Sequence, residues 1–208
     1  TPTNVEPIVV TGGGTSVISA SRFDSAWGNP LTFQVDSGST LQVNGIIGGN
    51  PGHGAFGVTK NGTGTVVLTA ANAYTGTTTI NSGALALGAS NVLADASGVS
   101  LGAATLAVAA AISDTVGTFD VTAAATVDLG AGASIAFADS SAIDWTGGTL
   151  NITGTFVSGS SLRFGTTSSG LTPAQLGQIV ASGIPSFALD SNGYLVSGGG
   201  YSSWATTN

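Results

Sequence analysis

The sequence predicts an all-β fold, a single-stranded parallel β-solenoid (β-helix), from three observations. A four-residue pattern of Thr or Ala, aliphatic, variable, aliphatic returns at a mean spacing of about 22 residues, within the range of solenoid repeats. A second strand-like segment begins seven or eight residues before most copies. Only 6% of the residues are charged, whereas long helices need charged exposed faces. Parallel crossover connections favour right-handed winding.

The recurring pattern defines the later strand of each coil. It occurs at 40–43, 65–68, 84–87, 105–108, 126–129 and 149–152. Side chains on a strand alternate between its two faces, so every second residue is expected to point into the core. The predicted inward pairs are all aliphatic: Leu41/Val43, Val66/Leu68, Leu85/Leu87, Leu106/Val108, Val127/Leu129 and Leu150/Ile152.

The earlier strand of each coil is expected at 32–35, 77–80, 98–101, 118–121 and 142–145. Its predicted inward pairs are Phe33/Val35, Thr78/Ile80, Val99/Leu101, Phe119/Val121 and Ile143/Trp145. Dividing the 208 residues by the repeat length gives roughly nine coils. At a strand spacing of about 4.8 Å the rod would be about 45 Å long.

The two ends of the chain differ from the repeated region. Residues 1–10 are expected to form an extended arm or cap, residues 11–170 the coils, and residues 171–208 a C-terminal cap. Thr172, Pro173 and Gln175 have the order of a capping box, which predicts a short helix over about 173–181. Segments 186–189 and 194–196 around the turn at 190–193 predict a closing hairpin or last coil. Such a cap would hide the last open rung of the solenoid.

Composition excludes several classes of protein. A net charge of -7 with three Lys and Arg residues gives no electrostatic basis for nucleic-acid binding. The absence of Cys excludes a disulfide scaffold, a thiol nucleophile and a Cys-ligated zinc site. The longest apolar run, 101–112, is too short to span a membrane, so no membrane insertion is expected. A chain that starts at Thr1 and lacks Met fits export with the signal peptide removed.

Residues 60–85 closely resemble the autotransporter-associated β-strand repeat, also called the passenger-associated transport repeat. Ala70 departs from the family pattern, which usually has Gly there. The resemblance implies an exported β-helical surface or secreted protein in which the repeat serves as a stalk, with no catalytic residues to carry over. The matching positions are Lys60, Gly62, Gly64, Thr65, Leu68, Asn72, Tyr74, Gly76, Thr78, Ile80, Gly83 and Leu85.

Few residues suggest chemistry, and we predict no catalytic residue, cofactor or metal site. His53 is the only histidine and is interpreted as a loop residue without a chemical role. Asp120 and Asp144 occupy equivalent predicted positions in successive coils, so they would lie about 5 Å apart, near the separation in a retaining glycosidase; solvated or calcium-contacting carboxylates are the favoured interpretation. Asp128 and Asp139 lack calcium-loop spacing. Asn72 and Tyr74 are interpreted as turn-packing residues.

Three functions compete. The favoured one is an extracellular, self-associating structural subunit of a surface fibre, sheath or matrix, because the outward columns have little charge. The second is a monomeric adhesin or passenger stalk that displays a binding surface. A polysaccharide-degrading enzyme ranks third and no enzymatic activity is expected, since three cations hardly furnish a catalytic groove. The expected partners are other copies of the chain and cell-surface or matrix polysaccharide.

Overall fold

The computed structural model describes residues 6–25, 28–49 and 55–198. Their strands stack in parallel into a β-solenoid of about six turns, which confirms the predicted fold class. The estimate of nine coils was wrong because the turns are not uniform. Ladder partners Ile8, Phe33 and Lys60 lie 25 and 27 residues apart, and most of the described residues after 171 form an end structure instead of further full turns.

The first column of strands contains the earlier strand of each coil. Ile8–Val10 of the predicted arm pair in parallel with the next coil and therefore belong to the first rung. The column consists of β1 (Ile8–Val10), β4 (Leu31–Val35), β7 (Val58–Asn61), the first halves of β9 (Thr78–Leu87) and β10 (Val99–Val108), and β12 (Phe119–Val121).

The second column contains the later strand and runs the whole length of the solenoid. Its members are β2 (Gly14–Ile18), β5 (Ser39–Val43), β8 (Thr65–Leu68), the second halves of β9 and β10, β13 (Ala124–Leu129), β15 (Thr149–Gly154) and β17 (Ile179–Ala181).

A third column closes each turn and was not predicted. It includes the pair β3 (Arg22–Phe23) and β6 (Ile46–Ile47), and the parallel sheet β11 (Ser113–Val116), β14 (Ser134–Phe137) and β16 (Leu162–Phe164). Between these two groups the coils are joined by the bridge Gly48–Ala73, by backbone hydrogen bonds from the Asn72 amide to the Val92 carbonyl and from the Asn91 amide to the Ser113 carbonyl, and by side-chain hydrogen bonds.

The core is a continuous stack of inward side chains. All six predicted inward pairs of the later strand are buried, as are the first four pairs of the earlier strand. Within the second column Leu41, Val66, Leu85, Leu106 and Val127 are successive ladder partners. Fully burying one such side chain stabilises the fold by about 1.5–3 kcal/mol, so stacked aliphatic residues are a main source of stability.

One register differs from the sequence alignment. We expected Leu150 to stack on Val127, but Val127 pairs with Ile152, and Leu150 pairs with Ala125. The shift is two residues, and because side chains alternate with period two, both Leu150 and Ile152 still point inward. The aliphatic ladder therefore continues through the shift.

The strand expected at 142–145 is absent, which corrects the prediction. Turns form there because the Ile143 and Gly148 amides donate to the Ser140 and Trp145 carbonyls. The Phe119 amide of β12 instead donates to Ser140 Oγ (2.9 Å), and Trp145 Nε1 donates to the Phe119 carbonyl (3.0 Å). Side chains thus satisfy backbone groups that a further strand would have paired. We name residues 140–148 the capping loop.

The C-terminal helix is shorter than predicted. Helix α1 (Pro173–Gly177) begins with the expected capping box on Thr172 and Gln175, but Ile179–Ala181 form β17 against β15. Two β-branched residues and a place beside an open sheet favour the strand there. Nε2 of Gln175 donates to the carbonyls of Ser140 and Ile143, and Nε2 of Gln178 to those of Trp145 and Gly148, at 2.7–2.9 Å. These bonds hold the capping loop in place.

The chain then forms an antiparallel hairpin, one of the two alternatives expected for this segment, from β18 (Phe187–Leu189) and β19 (Leu195–Ser197). Four buried rings, Phe119, Phe137, Trp145 and Phe164, cluster in the last turns with centroids of neighbouring rings 4.3–6.5 Å apart. We name them the aromatic cluster. Among the described residues, no helix is long and apolar enough to cross a membrane.

Candidate functional site

The repeat-like segment lies on β7, β8 and β9, in the middle of the solenoid. Alternation along β7 points Val58 and Lys60 inward, and Lys60 occupies the ladder position between Phe33 and Ile80. Its side chain has no exposed surface. A lysine in this position is unexpected, because lysine is almost never fully buried unless it is paired.

Backbone carbonyls satisfy the Lys60 ammonium group. Its nitrogen donates to the carbonyl oxygens of Asn61 (2.9 Å), Gly62 (2.7 Å) and Ser82 (3.0 Å). An ammonium group has three protons to donate, and three acceptors are present. Burial lowers the pKa of Lys60 to about 8, which still leaves the group mostly protonated at neutral pH. The arrangement therefore holds a buried cation by carbonyl dipoles and joins two coils.

Two glycines make room for this arrangement. A Cβ atom on Gly83, whose φ is +69°, would lie 2.3 Å from the Gly64 carbonyl oxygen and 2.8 Å from Lys60 Nζ. A Cβ on Gly64 would lie 2.3 Å from the Asp36 carbonyl oxygen. Contacts this short do not occur in folded proteins, so adjacent coils can approach each other at these two positions only where the side chain is a hydrogen atom.

Asn72 connects three successive coils in the third column. Its Oδ1 accepts from the Ile47 amide (2.8 Å), and its Nδ2 donates to the Val92 carbonyl (2.6 Å). One side chain thus replaces ladder bonds at the level where the third column has no regular strand. These contacts agree with the structural interpretation of Asn72 made from the sequence.

Tyr74 is almost fully buried and lies beside the same corner. Its hydroxyl shares a 2.6 Å hydrogen bond with Thr78 Oγ1, and Ser97 Oγ donates to the Gly76 carbonyl. Burial raises the pKa of Tyr74 to about 12, so the phenol stays protonated at neutral pH. The geometry is that of a buried polar network within the corner.

Asp114 is a buried carboxylate that the sequence analysis missed. Its Oδ2 accepts from the amides of Val92 (2.9 Å) and Leu93 (3.1 Å), while Oδ1 is buried without a hydrogen-bond partner. Burial raises the pKa of Asp114 to about 6, against the lowering effect of the backbone hydrogen bonds. The sequence offered one signal for Asp114, its place at every second position of a short alternating segment. In the structure this position points inward, whereas the flanking Ser113 and Thr115 are exposed.

The predicted acidic pair does not form as expected. Asp120 lies on β12, where it is the ladder partner of Ser100 and accepts a 3.3 Å bond from Ser100 Oγ. Asp144 lies in the capping loop, exposed and outside any strand. The two residues are therefore not ladder neighbours, because the strand that would have aligned them is replaced by turns.

The other acidic candidates, Asp128 and Asp139, each form separate local hydrogen bonds. Asp128 accepts from Thr153 Oγ1 at 2.7 Å, and Asp139 accepts from the amide and hydroxyl of Ser141. Within residues 6–25, 28–49 and 55–198, no group of three or more His, Cys, Asp or Glu residues has the arrangement of a metal site. His53 lies outside the described residues.

Comparison with known families identifies residues 58–87 as a passenger-associated transport repeat. Neither the curated proteins nor the solved structures gave a significant match. The matched residues are β7 to β9, the segment that holds Lys60, Asn72 and Tyr74. The repeat implies an exported surface protein, and together with the solenoid it fits an autotransporter passenger-like protein.

Proposed function

We propose that this passenger-like solenoid is a self-associating structural subunit of a surface fibre, sheath or matrix. The observation that supports the proposal is the second column, which extends from β2 at one end of the solenoid to β17 at the other. Among the described strands, β2 pairs only with β5, and β17 pairs only with β15. Strand β2 therefore has an outer edge that no described strand covers. On β17 the last residue, Ala181, forms an isolated antiparallel bridge with Ile184, and no described strand covers the rest of its outer edge.

The two edge strands also present apolar side chains to solvent. Val17 on β2 is 53% exposed and Val180 on β17 is 46% exposed. Their ladder partners, Gln42 and Asn151, are outward-facing residues. An exposed strand edge with apolar side chains and without charge is a favourable template for pairing with another chain.

The outward face between these edges is nearly uncharged. Its two ladders are dominated by Thr, Val and Ala, and Asp128 is their only charged member within the described strands. The first ladder is Thr15, Thr40, Thr65, Ala84, Thr105, Thr126, Asn151 and Val180, and the second is Val17, Gln42, Val67, Ala86, Ala107, Asp128 and Thr153. Because the face carries so little charge, charge repulsion does not oppose lateral or end-to-end contact between copies.

The assembly we propose is head to tail. Strand β2 of one copy adds in parallel to β17 of the next, so that the second column continues across the junction by β-augmentation. Such a contact joins two different surfaces and does not close on itself, which produces a filament.

Sedimentation velocity and negative-stain microscopy of the purified chain test this proposal. We expect concentration-dependent filaments for the wild-type chain and their loss in Val17→Lys and in Val180→Lys, because a lysine on an edge strand opposes pairing. Val157→Lys is the matched control, since Val157 is 47% exposed but lies in a loop. Filaments that survive both edge substitutions, or a wild-type chain that stays monomeric, would contradict the proposal.

The capping loop favours a second candidate, a monomeric passenger stalk. Through Trp145 it satisfies the outer edge of β12, so a following copy cannot continue the first column. In this alternative the microscopy shows short isolated rods for the wild-type chain and for all three valine variants.

A further inference from the structure

A groove of about 460 Å³ crosses the outer face of the third column. It lies where β11, β14 and β16 end and where residues 165–167 leave the sheet. Its polar lining comes from Asp95, Thr115, Asp139, Arg163, Thr166 and Thr167. The volume is within the range of small-molecule sites, and the lining combines carboxylates, a guanidinium group and hydroxyls.

Within the described part of the chain, the Arg163 guanidinium group forms no hydrogen bond in the groove. Its guanidinium carbon lies 5.7 Å from the centre of the Tyr194 ring, and Nε is buried without a hydrogen-bond partner. Arg163 as a whole is only half-buried and forms part of the groove lining. A guanidinium group fixed by stacking is preorganised to donate through its terminal nitrogens. A buried polar atom without a hydrogen-bond partner destabilises the fold and therefore calls for an explanation, such as a ligand.

The two carboxylates supply acceptors beside this donor. Ser141 donates from its amide (2.9 Å) and hydroxyl (2.7 Å) to Oδ1 of Asp139, and these bonds lower the pKa of Asp139. Oδ2 of Asp139 makes no hydrogen bond within the described part of the chain. The Asp95 side chain is exposed. Hydrogen-bond acceptors and donors thus line one groove, where a ligand can reach both.

From this lining we infer that the groove binds a neutral, hydroxyl-rich saccharide. A sugar hydroxyl both donates and accepts, so neighbouring hydroxyls match a carboxylate, a guanidinium group and a threonine at once. An anionic ligand would meet two carboxylates and a chain of net charge -7, which disfavours it electrostatically. Gly165 and Ala138 give the same groove small apolar surfaces against which the C–H face of a sugar ring can pack.

The inference goes beyond self-association and is tested separately from it. Titration calorimetry and saturation-transfer NMR use maltohexaose, cellohexaose and chitohexaose as neutral probes, with hexagalacturonate as the acidic comparison. The titrations use Val17→Lys as well as the wild-type chain, so that polymerisation does not affect the result. We expect at least one neutral hexasaccharide to bind, and hexagalacturonate to bind at least tenfold more weakly.

Groove variants locate the site. We expect Arg163→Gln and Asp139→Asn each to weaken binding at least tenfold, while Arg22→Gln and Asp36→Asn, which lie outside the groove, change it less than twofold. Thr167→Ala gives a further groove variant in case Arg163→Gln does not fold by circular dichroism. Absence of binding by every neutral probe, preference for hexagalacturonate, or unchanged binding by folded groove variants would overturn the inference.

Discussion

The ammonium nitrogen of Lys60 lies 3.0 Å from the carbonyl oxygen of Ser82 and links β7 to the next turn of the solenoid. Two further carbonyls, those of Asn61 and Gly62, accept its remaining protons. The only buried cation among the described residues is therefore held by backbone dipoles, and the repeat places it where two coils meet.

Replacing this lysine should destabilise the fold. In Lys60→Met the apolar stem is retained but three carbonyls lose a charged donor, so we expect the free energy of unfolding to fall by about 2–4 kcal/mol. Urea denaturation measures the change. Arg22→Met is the control, because Arg22 makes one exposed bond to the Gly49 carbonyl. A Lys60→Met chain as stable as the control would show that the carbonyl arrangement contributes nothing.

The glycine beside the lysine gives a steric prediction. Gly83→Ala combines a positive φ with a Cβ 2.3 Å and 2.5 Å from two carbonyl oxygens, so we expect a loss of about 3 kcal/mol or more. Gly177→Ala is the matched control, since it lies in α1 with no atom within 4 Å of the added Cβ. It should leave stability unchanged or raise it by up to about 1 kcal/mol. Equal thermal midpoints for the two variants would refute the packing described for Gly83.

The bridging role of Asn72 is tested against an exposed asparagine. Asn72→Ala leaves the buried Ile47 amide without its partner, and we expect a loss of about 2–3 kcal/mol. Asn81 donates to Asn61 Oδ1 at 2.8 Å on the surface, so Asn81→Ala should cost less than about 1 kcal/mol. Thermal unfolding followed by circular dichroism compares the two, and a larger effect at Asn81 would contradict the assignment.

The raised pKa of Asp114 leads to a prediction about how the free energy of unfolding depends on pH. Burial raises its pKa from 3.8 to about 6 in the folded chain, so the folded state binds a proton more tightly than the unfolded state between these values. The free energy of unfolding should therefore rise as pH falls from about 6 towards 4. Asp114→Asn should reduce this slope in urea titrations at pH 7, 6, 5 and 4. A slope that is identical in the variant would assign the effect to other groups.

The stacked core could be predicted because its signal is local and repetitive. Aliphatic residues such as Leu85 and Leu106 recur with a fixed period, and alternation assigns their face. Lys60 also occupies an inward position of this alternation. Its burial is possible because the carbonyls of Asn61, Gly62 and Ser82 accept from its ammonium group, and their placement depends on the folded corner. Hydrophobic periodicity carries no such information.

The errors in prediction have a related cause. At the capping loop, Trp145 and two glutamines satisfy the backbone with side-chain bonds, so an apparently alternating segment did not need to become a strand. Asp114 was missed because its strand has too few apolar residues to be distinguished from a loop. In both places side-chain hydrogen bonds replace the regular ladder, and their partners are distant in sequence.

The aromatic cluster makes the two ends of the solenoid unequal in resistance to opening. Phe119, Phe137, Trp145 and Phe164 pack against one another in the last turns, whereas the inward Ser16 of the first rung is exposed and Ile18 is only half-buried. Amide hydrogen exchange should therefore be fastest at β2 and slowest near β14, in graded steps along the axis. Under tension the molecule would unfold coil by coil from its first rung, and the turns that contain the aromatic cluster would unfold last.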